Sequence, residues 1–145
     1  MKVLLQRVST ASVSVDSKIV GKINNGLLLL IGIGHEDSEA DLDWMADKCV
    51  NLRVFEDADD KMNCSLLDVN AEILAISQFT LMGDTRKGRR PSFINAASPE
   101  MGEKMYNLFV DKLKSFSIKV ECGIFGAMMD VQLTNRGPVT LMLEK

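Results

Sequence analysis

Arg86, Lys87, Arg89 and Arg90 place four cations within five residues, spaced by Gly88 and closed by Pro91, in a chain whose net charge is −3. A run of this kind is ordinarily a solvated loop. In an acidic chain, with no helix for the charges to pair along, it also fits a phosphate-bearing partner, because guanidinium groups fork onto phosphate oxygens. Phe93, just past the run, offers a face on which a base could stack. Immediately before the run stands Ser77-Gln78-Phe79-Thr80-Leu81, with two hydroxyls, one amide and a row of backbone N–H groups. Inside a strand these groups only alternate faces. At a strand end, free N–H groups can hold an oxyanion developing on a carbonyl. A third stretch, Gly137-Pro138, lies between Val131 and Leu133 on one side and Val139, Leu141 and Leu143 on the other. Glycine has no side chain, and proline has no backbone donor and a fixed φ. A hairpin turn is the plain reading of the pair, and a bare backbone surface offered to a ligand is the other.

Other chemistries find little support. His35 is the only histidine, in a Gly-Ile-Gly-His-Glu-Asp turn without a nucleophile elbow, and reads as a surface residue rather than the base of a triad. With Cys49, Cys64 and Cys122 scattered, no zinc-ligand spacing exists, and three thiols without a Cys-x-x-Cys pair suit a reducing cytosol. Asp57, Asp59, Lys61, Asn63, Ser65 and Asp68 fall at the offsets of a calcium loop. Lys61 sits at a ligand position, however, and Met62 where glycine is demanded, so the segment reads as an acidic turn. No nucleotide-loop spacing is present. The opening residues lack a signal-peptide core, and the longest apolar run, residues 26–34, is about half the length of a membrane helix. The acidic balance argues against a general nucleic-acid coat protein.

The elements that must position these residues follow from periodicity. At 145 residues, with 46% hydrophobic and 26% charged, the chain can bury a core as one domain, 1–145, without disulfides or metal. Residues 11–23 alternate small polar with β-branched side chains and predict two short strands joined near Asp16 and Ser17. Residues 26–33 predict a central strand. Leu42, Met45, Ala46, Cys49 and Val50 form one helical stripe, with Ser38 as N-cap and Asp41 in the first turn. Residues 72–81 predict another buried strand. A second helix starts at Ser98 with Pro99 at its first position and a stripe of Met101, Met105, Leu108, Phe109, Leu113 and Phe116. Strands near 118–122, 128–134 and 139–144 close the chain. The fold class is α+β: a mostly antiparallel or mixed sheet, curled toward a barrel, under two helices.

Six segments, taken in order, resemble the D-aminoacyl-tRNA deacylase family, the D-tyrosyl-tRNA(Tyr) deacylases, over nearly the whole chain. They are Gln6–Ser9, Gly26–Ile33, Asp60–Val69, Ser77–Leu81, Asp84–Phe93 and Asn135–Thr140. The resemblance implies a homodimeric cytoplasmic enzyme, without metal or cofactor, that hydrolyses the ester between a D-amino acid and the tRNA 3′ end. It implies that Gly137-Pro138 is a cis peptide reaching into the partner subunit's active site, where its carbonyl oxygens receive the substrate's α-ammonium. An L side chain would then meet backbone. Val139 and Met129 line the same pocket, and Arg7 braces the Gly-Pro carbonyls. Ser77, Gln78, Phe79 and Thr80 form the catalytic wall, with the N–H groups of Gln78 and Phe79 facing the ester carbonyl. Thr80 is either nucleophile or orienter, and water or a neighbouring ribose hydroxyl otherwise supplies the attack. Arg86, Lys87, Arg89 and Arg90 take the tRNA. Clearance of glycyl-tRNA stays open.

The sequence departs from the family pattern at Met82, Gly83, Met128 and Arg136, and the last of these bears on amino-acid preference. A related L-selective editing deacylase with a trans Gly-Pro, and a non-catalytic tRNA 3′-end binding module, are the alternatives.

Overall fold

Asp16 and Ser17 take positive φ values of 49° and 62° and reverse the chain between β1 (Lys2–Val15) and β2 (Lys18–Ile23) in the computed structural model, which describes residues 1–145. Two left-handed residues match the twist of an antiparallel pair, so this hairpin forms where the sequence places it. The first strand is longer than expected. It starts at Lys2 rather than near residue 11, and one of its edges carries β3 (Gly26–Gly32) over its first half and β2 over its second.

Beyond β3 the sheet turns parallel: β6 (Glu72–Ser77) pairs with β3, and β7 (Val120–Cys122) pairs with β6. The strand path is β2-β1-β3-β6-β7, and β8 (Asp130–Glu144) runs antiparallel along the other edge of β1. A separate hairpin of β4 (Phe55–Glu56) and β5 (Met62–Cys64) stands off the sheet. The ends of the path approach each other, so a Cβ added to Gly21 in β2 would lie 2.7 Å from the Cys122 carbonyl in β7. The expected α+β architecture, a mixed sheet nearly closed into a barrel under two helices, is the one observed.

Both helices cover one face. Helix α1 (Glu39–Asn51) buries Leu42, Met45, Ala46, Cys49 and Val50, the stripe read from the sequence. At its start the Asp41 carboxylate accepts bonds from the Ser38 N–H at 2.8 Å and hydroxyl at 2.6 Å, tying the cap to the first turn. Helix α2 (Pro99–Lys114) begins at the expected cap, where the Ser98 hydroxyl accepts from the Met101 N–H at 3.3 Å. Its buried face is Gly102, Met105, Tyr106, Phe109, Val110 and Leu113. Met101, Leu108 and Phe116 of the expected stripe are half-buried against the same core, and Tyr106 and Val110 widen the buried face, the Tyr106 hydroxyl donating to the Ala75 carbonyl at 2.9 Å.

Leu27, Leu29 and Ile31 of β3 join the helices in the larger core, while Leu28 joins Val8, Val13, Ile23, Leu74 and Ile76 inside the curl of the sheet. A strand buried on both faces reads as an unbroken apolar run, which is what residues 27–31 are. Two expectations fail here. The strand expected over 72–81 stops at Ser77, and Phe79–Met82 form a single 3-10 turn. The strands expected over 128–134 and 139–144 are one continuous β8, so Gly137-Pro138 is not a hairpin turn. No helix is long and apolar enough to cross a membrane.

Candidate functional site

Gly137 and Pro138 sit where the β1–β8 ladder loses its register. Gln6 pairs with Thr140 and Val8 with Asn135, so the four residues from Arg136 to Val139 stand opposite Arg7 alone. Surplus residues must leave the plane of the sheet. Arg136, Gly137 and Pro138 are exposed, whereas Val139 returns to the core. The Gly137-Pro138 peptide is cis, and Gly137 has φ +144°, a backbone angle open to glycine and strained for L side chains. A Cβ there would lie 2.7 Å from the Val139 nitrogen and 2.9 Å from Arg7 Nη2.

The excursion is pinned at both ends. Arg7 is 4% exposed, and its Nε donates to the Arg136 carbonyl at 3.0 Å, Nη1 to the Val54 carbonyl at 2.6 Å and Nη2 to Glu56 Oε1 at 3.2 Å. The Asn135 amide donates at 3.1 Å both to the Arg7 carbonyl and to the Val139 carbonyl. The carbonyls of residues 136 and 139 are thereby satisfied. Those of Gly137 and Pro138, between them, receive no donor from the protomer. The bond from Arg7 thus goes to the carbonyl one residue before the pair, and the pair's own acceptors stay free.

The second cluster lies at the end of β6. Ser77 closes the strand opposite Ile31. The Gln78 N–H donates to the Ile31 carbonyl at 2.7 Å and is spent on the sheet, so it is not available to an ester oxygen as expected. The first N–H groups of a helical turn have no intrahelical acceptor, and those of Phe79 and Thr80 accordingly stay unpaired and exposed. The Gln78 amide donates to the Thr80 hydroxyl at 2.5 Å, which orients that oxygen. Met129 is half-buried against the smaller core, beside Gly123 and Ile76.

The structure does not bring the two clusters together within one protomer. Arg7 is level with Leu27 and Ile73, whereas Ser77 is level with Ile31 and Val3, four residues further along the strands. At ~3.3 Å per residue, with three strand spacings of ~4.8 Å between β8 and β6, the separation is on the order of 20 Å.

The basic run is an exposed loop closed by the Asp84–Ser92 bridge, with Gly88 at φ +69° at its tip. Arg86 folds back onto Asp84 at 2.6 Å, leaving Lys87, Arg89 and Arg90 without carboxylate partners. Phe93 packs edge-on against Phe79, centroids 5.1 Å apart, and so joins the loop to the 3-10 turn. The close approach of Gly83 to Phe93, where a Cβ would lie 2.9 Å from the ring, shows why a small residue suits position 83.

Other polar groups lie elsewhere. His35 is exposed in a cleft of about 490 Å³ with Met1, Asp37, Met82, Asn95 and Lys145, and its side chain bonds to none of the residues above. Burial pushes the Cys49 thiol up to about 12 and raises that of Cys122, and the thiol form is a poor nucleophile. The Asp57 carboxylate accepts from the Asp59 and Lys61 N–H groups and the Asn63 amide, which makes the acidic segment a self-braced turn. No cluster of three or more His, Cys, Asp or Glu is placed to hold a metal ion.

Sequence reasoning gave no role to Asn135, Val54 or Glu56. The available signal was Arg7 itself, a cation in an apolar strand that has to find acceptors once buried.

A solved structure described as c-Myc DNA Unwinding Element Binding Protein superposes with a TM-score of 0.95 at 41% identity, covering 100% of this chain and 99% of that one. A D-aminoacyl-tRNA deacylase of Exiguobacterium sp. is 59% identical over 145 residues, 100% of this chain and 99% of the relative. One from Bacillus velezensis is 54% identical over 144 residues, 99% and 98% of the two chains. The family model described as D-Tyr-tRNA(Tyr) deacylase matches residues 4–144. The chain belongs to that family.

Hydrogen bonds from the Arg86 side chain and backbone N–H, with the guanidinium charge, hold the Asp84 carboxyl at about 2. A depressed carboxyl contributes fully above the ordinary aspartate range and loses its contribution as pH falls through about 2. In Arg86→Ala, which removes the guanidinium but keeps the backbone N–H, an NMR titration of Asp84 is expected to rise toward the ordinary aspartate range. An unchanged value would show that Arg86 does not order the loop.

Proposed function

We propose that the protein hydrolyses the ester of D-aminoacyl-tRNA, releasing the D-amino acid and the tRNA, in a homodimer whose sites each combine the 3-10 turn of one subunit with the Gly137-Pro138 excursion of the other. The observation that carries the reading is the pinned excursion with two unpaired carbonyls. An α-ammonium has three donors and makes short, charge-assisted bonds to such oxygens. With the ammonium held there and the ester carbonyl held at the N–H groups of Phe79 and Thr80, the α-carbon has two directions left for its side chain. The D form points it outward and the L form drives it into backbone. Glycine has no side chain to reject, so glycyl-tRNA passes the same filter.

The dimer follows from distance. A substrate α-ammonium and ester carbonyl lie within a few bonds of each other, whereas the two walls stand on the order of 20 Å apart in one protomer. The edge of β8 away from β1 has no strand partner, and Leu141 and Met142 on β8 are exposed apolar residues suited to a second copy.

In the chemical step, water attacks the ester carbon and the carbonyl oxygen becomes an oxyanion that receives the N–H groups of Phe79 and Thr80. Collapse breaks the bond to the ribose oxygen, which takes a proton and leaves as the tRNA 3′-terminal hydroxyl. The Thr80 hydroxyl, oriented by Gln78, and Ser77 line this wall. Thr80 has no general base beside it, which favours a positioning role over a nucleophilic one. Val139 anchors the excursion in the core, and Met129 closes the pocket floor. Lys87, Arg89 and Arg90 engage tRNA phosphates, with Arg86 ordering their loop.

Matched D- and L-aminoacyl-tRNA test the reading. Hydrolysis of the D ester with the L ester spared is expected. Preferential hydrolysis of the L ester would instead mark an L-selective editing enzyme, and tRNA binding without hydrolysis of either would mark a binding module. Replacing Arg89 and Arg90 by Ala is expected to weaken tRNA binding and reduce its log–log salt slope by about 1–2, since up to two phosphate contacts are lost. An unchanged slope would make the loop a bystander.

A further inference from the structure

We infer that Glu56 is a positioning residue for substrate chirality: by holding Arg7 Nη2 it sets the room behind Gly137, and so the hairpin of β4 and β5 governs how strictly L esters are refused. The inference rests on the function proposed above and adds to it a residue that belongs to neither wall.

Arg7 carries the side-chain hydrogen bonds that tie the excursion to that hairpin. Its planar guanidinium fixes the direction of all three nitrogens at once. Two of them are fastened to the 54–56 segment, Nη1 at the Val54 carbonyl and Nη2 at Glu56, so the third, Nε, is aimed at the Arg136 carbonyl. Nη2 has a second neighbour. It lies 2.9 Å from where a Gly137 Cβ would be, so the nitrogen drawn toward Glu56 is the one packed behind Gly137.

Glu56 is also the only carboxylate within ion-pair distance of Arg7, at 3.2 Å. A buried guanidinium without a counter-charge shifts toward whatever acceptor it can reach. The acceptors at hand are the two unpaired carbonyls meant for the substrate. Glu56 therefore keeps Arg7 off the ammonium site as well as behind the glycine.

The base on which Glu56 stands is firm. Phe55 is buried in the main core, Glu56 pairs with Met62, and the Asp57 carboxylate closes the turn through three bonds. The Glu56 side chain is itself 42% exposed. Screening therefore limits the effect to a change in selectivity rather than a loss of the fold.

The test compares D and L hydrolysis rates on the same sample, a ratio that does not depend on the fraction folded. In Glu56→Ala the D:L ratio is expected to fall about tenfold, through a faster L reaction and a slower D reaction, the size expected for losing one bond to a charged group. Glu56→Gln keeps an acceptor oxygen and loses the charge; a fall of about threefold is expected, and this variant carries the test if the alanine variant does not fold. The salt slope of tRNA binding should match the parent in both, which separates positioning from a general loss of binding. Gly137→Ala is assayed alongside. If it collapses the ratio while both Glu56 variants keep the parent value, the positioning role is overturned and the proposed function stands. If Gly137→Ala also keeps the parent ratio, the proposed function and this inference fall together.

Discussion

A guanidinium removed from water has to be met on every nitrogen, and much of this molecule is arranged to meet the one on Arg7. Its three partners come from two distant places in the chain: the Arg136 carbonyl on one side, and the Val54 carbonyl and the Glu56 carboxylate on the other. Each bond alone is worth roughly 1.5–3 kcal/mol. Their joint effect is geometric, because a planar fork cannot satisfy three fixed acceptors in more than one orientation. The excursion of β8 is held out from the sheet by that orientation and by Asn135, and the residues between the pins are the two that offer nothing but backbone.

The sheet explains why such a clamp is needed. In an undisturbed antiparallel ladder an edge strand such as β8 spends alternate carbonyls on its one neighbour and points the others away from it. To present the carbonyls of two successive residues clear of the ladder, β8 has to carry surplus residues, and to stop those residues from wandering something outside the ladder must hold them. The other cluster follows the same logic in a different form. Where β6 ends, Gln78 gives its N–H to Ile31 and completes the ladder, and the tight turn that follows frees the next two N–H groups. One end of the proposed site thus offers bare acceptors and the other bare donors, both made from backbone left over where a strand is interrupted or stops.

How much of this was legible in the sequence depended on whether the signal was local. The α1 stripe, its Ser38 cap, the Asp16-Ser17 reversal and the doubly buried β3 are all written within a few residues and were read correctly. The inward turn of Tyr106 was not, because it depends on the Ala75 carbonyl, 31 residues away. Gly137-Pro138 showed the limit most clearly. The residue types announced a break in a strand, and the natural reading was a reversal of direction. Whether a break reverses the chain or bulges it depends on the strand alongside, and β1 pairs with β8 on both sides of the pair. In the Ser77–Thr80 stretch the free donors lie one residue later than expected, since only the register with Ile31 reveals which N–H is already used.

If the excursion of one subunit completes the site of the other, as proposed above, mixed dimers reveal it. One subunit carries Gly137→Ala. Its partner carries Phe79→Pro, which deletes an N–H at the first position of the turn, where proline is tolerated. Each variant alone should have lost selective D-aminoacyl-tRNA hydrolysis. Joined, they should regain about half the parent activity, because one of the two sites then draws an intact turn and an intact excursion from different subunits. Mixed dimers as inactive as either parent variant would place both walls in the same subunit and rule out a site shared between two.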